Sequence, residues 1–168
     1  MLDKRICGAR IVDGTGRPAY VGDVGIRAGR IVLHPQEEAR QVLNARGLTL
    51  TPGLIDSHSH NDWFAICKDC LPCFEPFIRQ GITSFVTGNC GLSAIGFEKD
   101  TPYIDQVGGG LFGYRGQTTG VYPDAQSLFD AVSGNAPCNI AVLAGQGSIR
   151  GKVMGLGAGL PDEKQTAQ

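Results

Sequence analysis

The chain has 168 residues, and 25 of them are glycine, about twice the usual share of ~7%. Apolar residues make up 42% and the formal net charge is −1, which excludes a disordered chain and a nucleic-acid-binding domain held by basic charge. The N-terminal residues do not form a secretory signal, and no apolar run approaches the ~18 residues of a membrane helix. We therefore expect a cytoplasmic protein that binds neither nucleic acid nor membranes, with its six cysteines mostly as thiols.

The first part of the chain predicts short strands joined by tight turns. Apolar or β-branched runs, separated by turn residues, occur at residues 7–12, 23–27, 30–33 and 40–43. Ala28-Gly29 stands between two of these runs, which is typical of a hairpin. Strands so few and short do not make a stable unit alone, so we expect them to pack on something else.

From Leu48 onward the pattern changes to strands that alternate with helices. Short apolar runs at residues 53–56, 82–87 and 139–144 predict strands that are buried on both faces. Helical patterns precede Gly81 and follow Asp124, and Pro161 onward is typical of a helix start. Residues 98–122 and the glycine-rich residues 145–151 are expected to be loops. This alternation indicates an α/β fold with a parallel sheet.

His58-Ser59-His60 at the end of the first of these strands is the sharpest chemical feature. Residues i and i+2 of a strand share a face, so both imidazoles should project together. Imidazole is the commonest protein ligand for zinc-like metals. Cys90 follows the neighbouring strand in Gly88-Asn89-Cys90-Gly91, where it is either a further ligand or a small buried apolar residue.

Two aspartates near this pattern each have two possible roles. Asp56 and Asp62 either support the histidines or cap a helix, and capping is favoured for Asp62.

Three cysteines form a separate pattern. Cys67, Cys70 and Cys73 have the spacing that opens an iron–sulfur motif, but Phe77 occupies the position of the expected fourth cysteine.

The motifs together resemble the N-acyl-D-amino-acid deacylase (D-aminoacylase) branch of the metal-dependent amidohydrolase superfamily. The resemblance runs from about residue 8 to about residue 155 and rests on residues 13–18, 23–26, 29–31, 51–62, 79–83 and 87–93. It implies that His58, His60 and Cys90 are metal ligands. Asp56, Asp62 and Asn89 are candidates for supporting these ligands. The resemblance also implies a site for one or two zinc ions that hydrolyses a small N-acyl-D-amino acid to a D-amino acid and a carboxylate.

The resemblance further implies a TIM-type (β/α) barrel and a small β-sandwich domain. A complete barrel has eight strands and about 250 residues, so residues 50–168 are expected to be an incomplete barrel of about three strands. Residues 1–49 are then part of the β-sandwich. The family's catalytic aspartate is expected to lie beyond this chain, which leaves no catalytic residue assigned and predicts an inactive N-terminal fragment. Its unpaired strand edge also predicts self-association.

Two other functions remain open. One is a cyclic-amide hydrolase of the dihydroorotase or hydantoinase kind, against which Gly88-Asn89-Cys90-Gly91 argues. The other is a non-catalytic metal-binding or thiol-binding remnant that uses Cys67, Cys70 and Cys73.

Overall fold

The computed structural model describes residues 1–65, 71–97, 120–155 and 157–167. The chain divides into two compact units, Met1–Pro52 and Gly53–Gln168. Of the predicted loop at 98–122, only residues 120–122 are described. Cys67 and Cys70 also lie outside the described residues. Among the helices in the described part, none has the length and apolar character that a bilayer crossing demands.

The first unit is a mixed sheet with two antiparallel and two parallel strand pairs. Its strands are β1 (Leu2–Ile11), β2 (Tyr20–Arg27), β3 (Arg30–Leu33), β4 (Ala39–Asn44) and β5 (Thr49–Leu50). Their order is β3-β2-β1-β4, with β5 also on β1; the β1–β4 and β1–β5 pairs are parallel. The predicted hairpin is confirmed, with Ala28 and Gly29 at positive φ in its turn. Strand β1 begins at Leu2 rather than Cys7, and β5 was not expected from the sequence.

An ionic contact inside this unit fixes an irregularity in β1. The register of β1 on β2 shifts between Ile6 and Ala9. There the carboxylate of Asp23 accepts hydrogen bonds from the backbone N–H of Gly8 at 2.8 Å and from Nε of Arg5 at 2.9 Å. The Gly8 N–H, and next the Arg5 side chain, lower the pKa of Asp23 below its ordinary value. Asp23 therefore stabilises the shifted register in its charged form.

The second unit alternates strands and helices, as predicted. Its elements are β6 (Leu54–Asp56), α1 (Leu71–Arg79), β7 (Ile82–Thr87), α2 (Ala125–Val132), β8 (Asn139–Val142), α3 (Gln146–Met154) and α4 (Glu163–Thr166). The described strands form a parallel sheet in the order β6-β7-β8. Short 3-10 turns follow two of them, at Asn61–Phe64 and Asn89–Gly91. The chain is therefore of mixed α/β type.

Local signals explain where the helices of this unit lie. The side chain of Asp124 accepts a hydrogen bond from Ser127 N at 2.8 Å and caps α2, whose Leu128 and Val132 are buried. These pack in one core with the aromatic residues Trp63, Phe74, Phe85 and Phe97, each at most 1% exposed. Asp162 caps α4 in the same way, which confirms the predicted helix start.

The prediction of a loop at residues 145–151 is wrong, because α3 begins at Gln146. Its glycines lowered the helix signal in the sequence. In the structure they permit close packing, since a β-carbon at Gly147 would lie 2.8 Å from the carbonyl oxygen of Gly91. Tertiary contact with the turn at residues 89–91 therefore overrides the low helix propensity.

Candidate metal centre

The two histidines lie just beyond the carboxyl end of β6. The strand ends at Asp56; His58 follows in a bend and His60 in irregular backbone, so neither lies in the strand itself. The backbone N–H of Ser59 still donates to Val86 O on β7 at 2.9 Å, which holds this segment beside the neighbouring strand. The prediction that both histidines share one face of a strand is therefore wrong, because they follow the strand. Both imidazoles are nevertheless at the same edge of the sheet, with ring centroids 5.7 Å apart.

Cys90 lies on the turn that follows β7. It adopts φ 56° and ψ 19°, between Gly88 at φ 80° and Gly91 at φ 75°. A left-handed conformation is uncommon for a residue with a β-carbon and persists where the surroundings impose it. The side-chain amide of Asn89 donates to Val86 O at 3.0 Å and to Ser59 O at 3.3 Å, which joins this turn to the histidine segment.

These segments bring the three candidate ligands together. One ligand atom from each of His58, His60 and Cys90 lies within 4.8 Å of the other two. Cys90 Sγ is 3.5 Å from His58 Nε2. His58 and Cys90 are exposed and His60 is half-buried, so the cluster is open to solvent on one side.

The local environment favours the neutral form of His60. Burial lowers the pKa of its imidazole; the carboxylate of Asp62 opposes this shift and the neighbouring His58 adds to it. A neutral imidazole has a free nitrogen lone pair, which is the form that binds metal ions.

Asp62 is almost completely buried, and its role differs from the favoured prediction. We expected a helix cap, but Asp62 lies inside the 3-10 turn and is 1% exposed. Its carboxylate accepts hydrogen bonds from Thr87 Oγ1 and from Ala94 N, the latter at 2.7 Å. Burial raises the pKa of Asp62, while these two hydrogen bonds oppose the rise. The capping prediction is therefore wrong.

Asp56 acts on the backbone of the histidine segment. Its Oδ1 accepts a hydrogen bond from His58 N at 3.0 Å, an Asx-turn contact within three residues. Asp56 thus shapes the turn that follows β6, as Asn89 does for the turn that follows β7.

Sequence reasoning did not identify Ser93 and Ser148, which anchor the Cys90 segment. Ser93 N donates to Ser148 Oγ at 2.9 Å, and that hydroxyl donates to Ser93 O, also at 2.9 Å. Both serines are fully buried. They are 55 residues apart in the chain, and no local pattern marks such a pair.

The donor set fits zinc. Two imidazoles and a thiolate leave one position of a tetrahedral ion open, which is the arrangement of catalytic zinc sites. Zn–N bonds of ~2.0–2.1 Å and Zn–S bonds of ~2.3 Å at a tetrahedral angle imply an N···S separation of about 3.6 Å. The 3.5 Å between Cys90 Sγ and His58 Nε2 is close to this value. A thiolate also disfavours Mg²⁺ and Ca²⁺, which prefer oxygen ligands.

Comparison with known proteins identifies relatives of this chain. The N-acyl-D-glutamate deacylase of Alcaligenes xylosoxydans xylosoxydans is 34% identical over 168 residues, 98% of this chain and 33% of that protein. The chain is a homologue of the N-acyl-D-amino-acid deacylases. The N-acyl-D-aspartate deacylase of the same organism is 46% identical over 91 residues, which cover 52% of this chain and 18% of that deacylase. No family model matches the sequence.

A solved deacylase structure shares the fold of this chain. It is the N-acyl-D-glutamate deacylase of Bordetella bronchiseptica in complex with zinc and a phosphonate inhibitor that mimics the tetrahedral intermediate. It superposes with a TM-score of 0.79 at 31% identity, covering 99% of this chain and 34% of that deacylase. This chain therefore spans about one third of the length of the deacylases that it matches over nearly all of its residues.

Proposed function

We propose that this chain supplies part of the zinc centre of an N-acyl-D-amino-acid deacylase. Such an enzyme hydrolyses the amide of a small N-acyl-D-amino acid to a D-amino acid and a carboxylate. The observation that carries the proposal is the convergence of His58, His60 and Cys90 within 4.8 Å at the carboxyl ends of two parallel strands. Homology to deacylases favours an N-acyl-D-amino acid over a cyclic amide as the substrate class.

The residues of the cluster have separate tasks in this proposal. The Cys90 thiolate and the imidazoles of His58 and His60 would hold the ion. Zinc, when bound, supplies a Lewis acid that polarises the amide and lowers the pKa of water. The exposed side of the cluster admits the substrate, while Asn89 and Asp56 fix the backbones that carry the ligands. We assign no catalytic acid or base to this chain.

The fold supports the same assignment. We propose that residues 50–168 are the first part of a TIM-type barrel, with β6, β7 and β8 as its first three strands, and that residues 1–49 are part of a small β-sandwich domain. Active sites of such barrels lie at the carboxyl ends of the strands, where both ligand-bearing segments of this chain begin.

Zinc titration tests the metal centre. We expect the purified chain to bind about one zinc ion, following the four-coordinate rule. His60→Ala and Cys90→Ser should weaken binding strongly, because each removes a ligand. His34→Ala and Cys73→Ser are the matched controls, since His34 lies in the first unit and Cys73 belongs to the alternative thiol cluster. Equal affinity in wild type and both ligand variants would contradict the assignment, and loss of zinc in Cys73→Ser would favour that cluster.

Activity measurements test the reaction. With one third of the length of its relatives and no assigned catalytic base, the chain alone should bind zinc without measurable deacylation. Zinc-dependent turnover above a His58→Ala control would overturn that expectation. A chimera, in which this chain replaces the matching third of an N-acyl-D-glutamate deacylase, should hydrolyse N-acyl-D-amino acids and not their L-enantiomers. A folded, zinc-loaded chimera that leaves both enantiomers intact would contradict the proposed function.

A further inference from the structure

The buried carboxylate of Asp62 connects the two halves of the ligand cluster. It lies two residues after His60, and both of its hydrogen-bond donors, Thr87 Oγ1 and Ala94 N, belong to the other half. Thr87 is the last residue of β7, and Ala94 follows the turn that carries Cys90. All three residues are at most 1% exposed, so solvent does not compete for these contacts.

The two donors stand immediately before and after residues 88–93. One carboxylate therefore closes this six-residue segment, with each oxygen holding one end. Cys90 lies inside the closed segment, at a positive φ that a residue with a β-carbon rarely adopts without support. The closure gives that support, because neither end of the segment can move without breaking a buried hydrogen bond to a carboxylate.

The side chains of Ser148 and Asn89 also anchor the segment, each at one position. Ser148 ties Ser93 to α3, and the Asn89 amide donates to Val86 O at 3.0 Å and to Ser59 O, in the histidine segment, at 3.3 Å. Asp62 alone, among the described contacts, grips both ends of the segment from the chain that carries the histidines.

We propose that Asp62 is a positioning residue of the metal centre, which closes the Cys90 segment and so fixes the thiol at its distance from His58. This inference rests on the proposed metal centre and adds a residue that does not itself bind the ion. Its consequence is that zinc affinity depends on a side chain whose oxygens are occupied by Thr87 and Ala94.

Two pairs of variants test the proposal in the full chain. Asp62→Ala removes both contacts and should weaken zinc binding about 10- to 100-fold, the range found when groups that orient metal ligands are lost. Asp62→Asn should recover most of the affinity, since its amide oxygen can accept from Ala94 N and its N–H can donate to Thr87 Oγ1. Thr87→Val should weaken binding, whereas Thr87→Ser keeps the hydroxyl and should not.

Cobalt binding gives a second readout that a general loss of stability does not move. The thiolate-to-cobalt absorption band reports contact between Cys90 and the ion, and it should fall in Asp62→Ala and return in Asp62→Asn. The control is Asp124→Ala, which removes the cap of α2 and should lower the melting temperature with zinc affinity unchanged.

Different outcomes separate this inference from the proposed function. If Asp62→Ala binds zinc and cobalt as wild type does while Cys90→Ser does not, the metal centre stands and the positioning role is overturned. If Asp62→Asn is as weak as Asp62→Ala, charge rather than closure is responsible, and the proposal is wrong. If Asp62→Ala does not fold, equal affinities of Thr87→Val and Thr87→Ser overturn it.

Discussion

Replacing Gly88 with alanine tests whether the turn that carries Cys90 depends on close backbone packing. Gly88 follows β7 at φ +80°, and a β-carbon there would lie 2.1 Å from the carbonyl oxygen of Leu143 and 2.9 Å from its carbonyl carbon. That backbone cannot turn aside, because Leu143 N donates to Thr87 O at 2.9 Å. The added methyl group must therefore push β7 and β8 apart at their carboxyl ends.

Gly81, at the other end of β7, is a matched control. It has the same φ of +80°, and a β-carbon there would meet no described atom within 4 Å. Alanine at either position pays about 1–2 kcal/mol for the left-handed conformation. Only Gly88→Ala also brings a methyl group into steric overlap with the backbone of Leu143, and such overpacking costs about 1–3 kcal/mol. We expect the free energy of unfolding to fall by about 2–5 kcal/mol in Gly88→Ala and by about 1–2 kcal/mol in Gly81→Ala.

Urea unfolding followed by circular dichroism measures the difference between these two variants. Zinc titration of the same proteins adds a functional readout, because Cys90 is two residues from Gly88 and lies at the opposite end of β7 from Gly81. Gly88→Ala should lose zinc affinity and Gly81→Ala should keep it. Equal losses of stability in the two variants would refute the packing argument, and wild-type zinc affinity in Gly88→Ala would refute its link to the metal centre.

Two further predictions concern pH and association. Because the pKa of Asp23 is lowered in the folded chain, chiefly by Gly8 N–H and then by Arg5, its stabilisation is complete above the unfolded pKa of about 3.9 and is lost as pH falls through the folded value. Asp23→Asn should therefore lower the free energy of unfolding by about 0.5–1 kcal/mol at pH 7 and leave it unchanged in strong acid. If urea titrations of wild type and Asp23→Asn differ by the same amount at every pH, the prediction is contradicted. Strand β8 is an outer strand of the sheet in the described residues and should promote concentration-dependent association, which Ala141→Lys should reduce in light scattering. A monomer at high concentration in wild type would refute the edge argument.

The sequence predicted those elements whose signals are local. The hairpin at Ala28-Gly29 and helix α2 behind Asp124 were both expected, because turn residues and a capping side chain act within a few positions. Helix α3 was not expected, since Gly145, Gly147 and Gly151 weaken the helical pattern. Its packing against the turn at residues 89–91 supplies what local propensity lacks, and such a contact cannot be recognised from one segment alone.

The candidate site also has features that the sequence predicted and features that it could not predict. That His58, His60 and Cys90 could lie close together followed from the rule that parallel strands end at one edge of a sheet. Their role as metal ligands stays a prediction. The contacts of Asp62 could not be foreseen, because its donors are 25 and 32 residues away and a buried carboxylate looks like any surface aspartate in a sequence. Sequence reasoning favoured helix capping for Asp62 because capping is a local interaction, whereas the structure shows contacts with two distant donors.

In the proposed metal centre, ion binding and strand pairing would be coupled, because the candidate ligands come from two neighbouring strand ends. The histidines follow β6 and Cys90 follows β7, so an ion that binds all three stabilises the paired state and not the separated one. At a free zinc concentration 100 times the dissociation constant, the gain is about 2.7 kcal/mol. That is comparable to the overlap that alanine at Gly88 would introduce between β7 and β8. The ion that the proposed reaction requires would therefore also hold together the strands that supply its ligands.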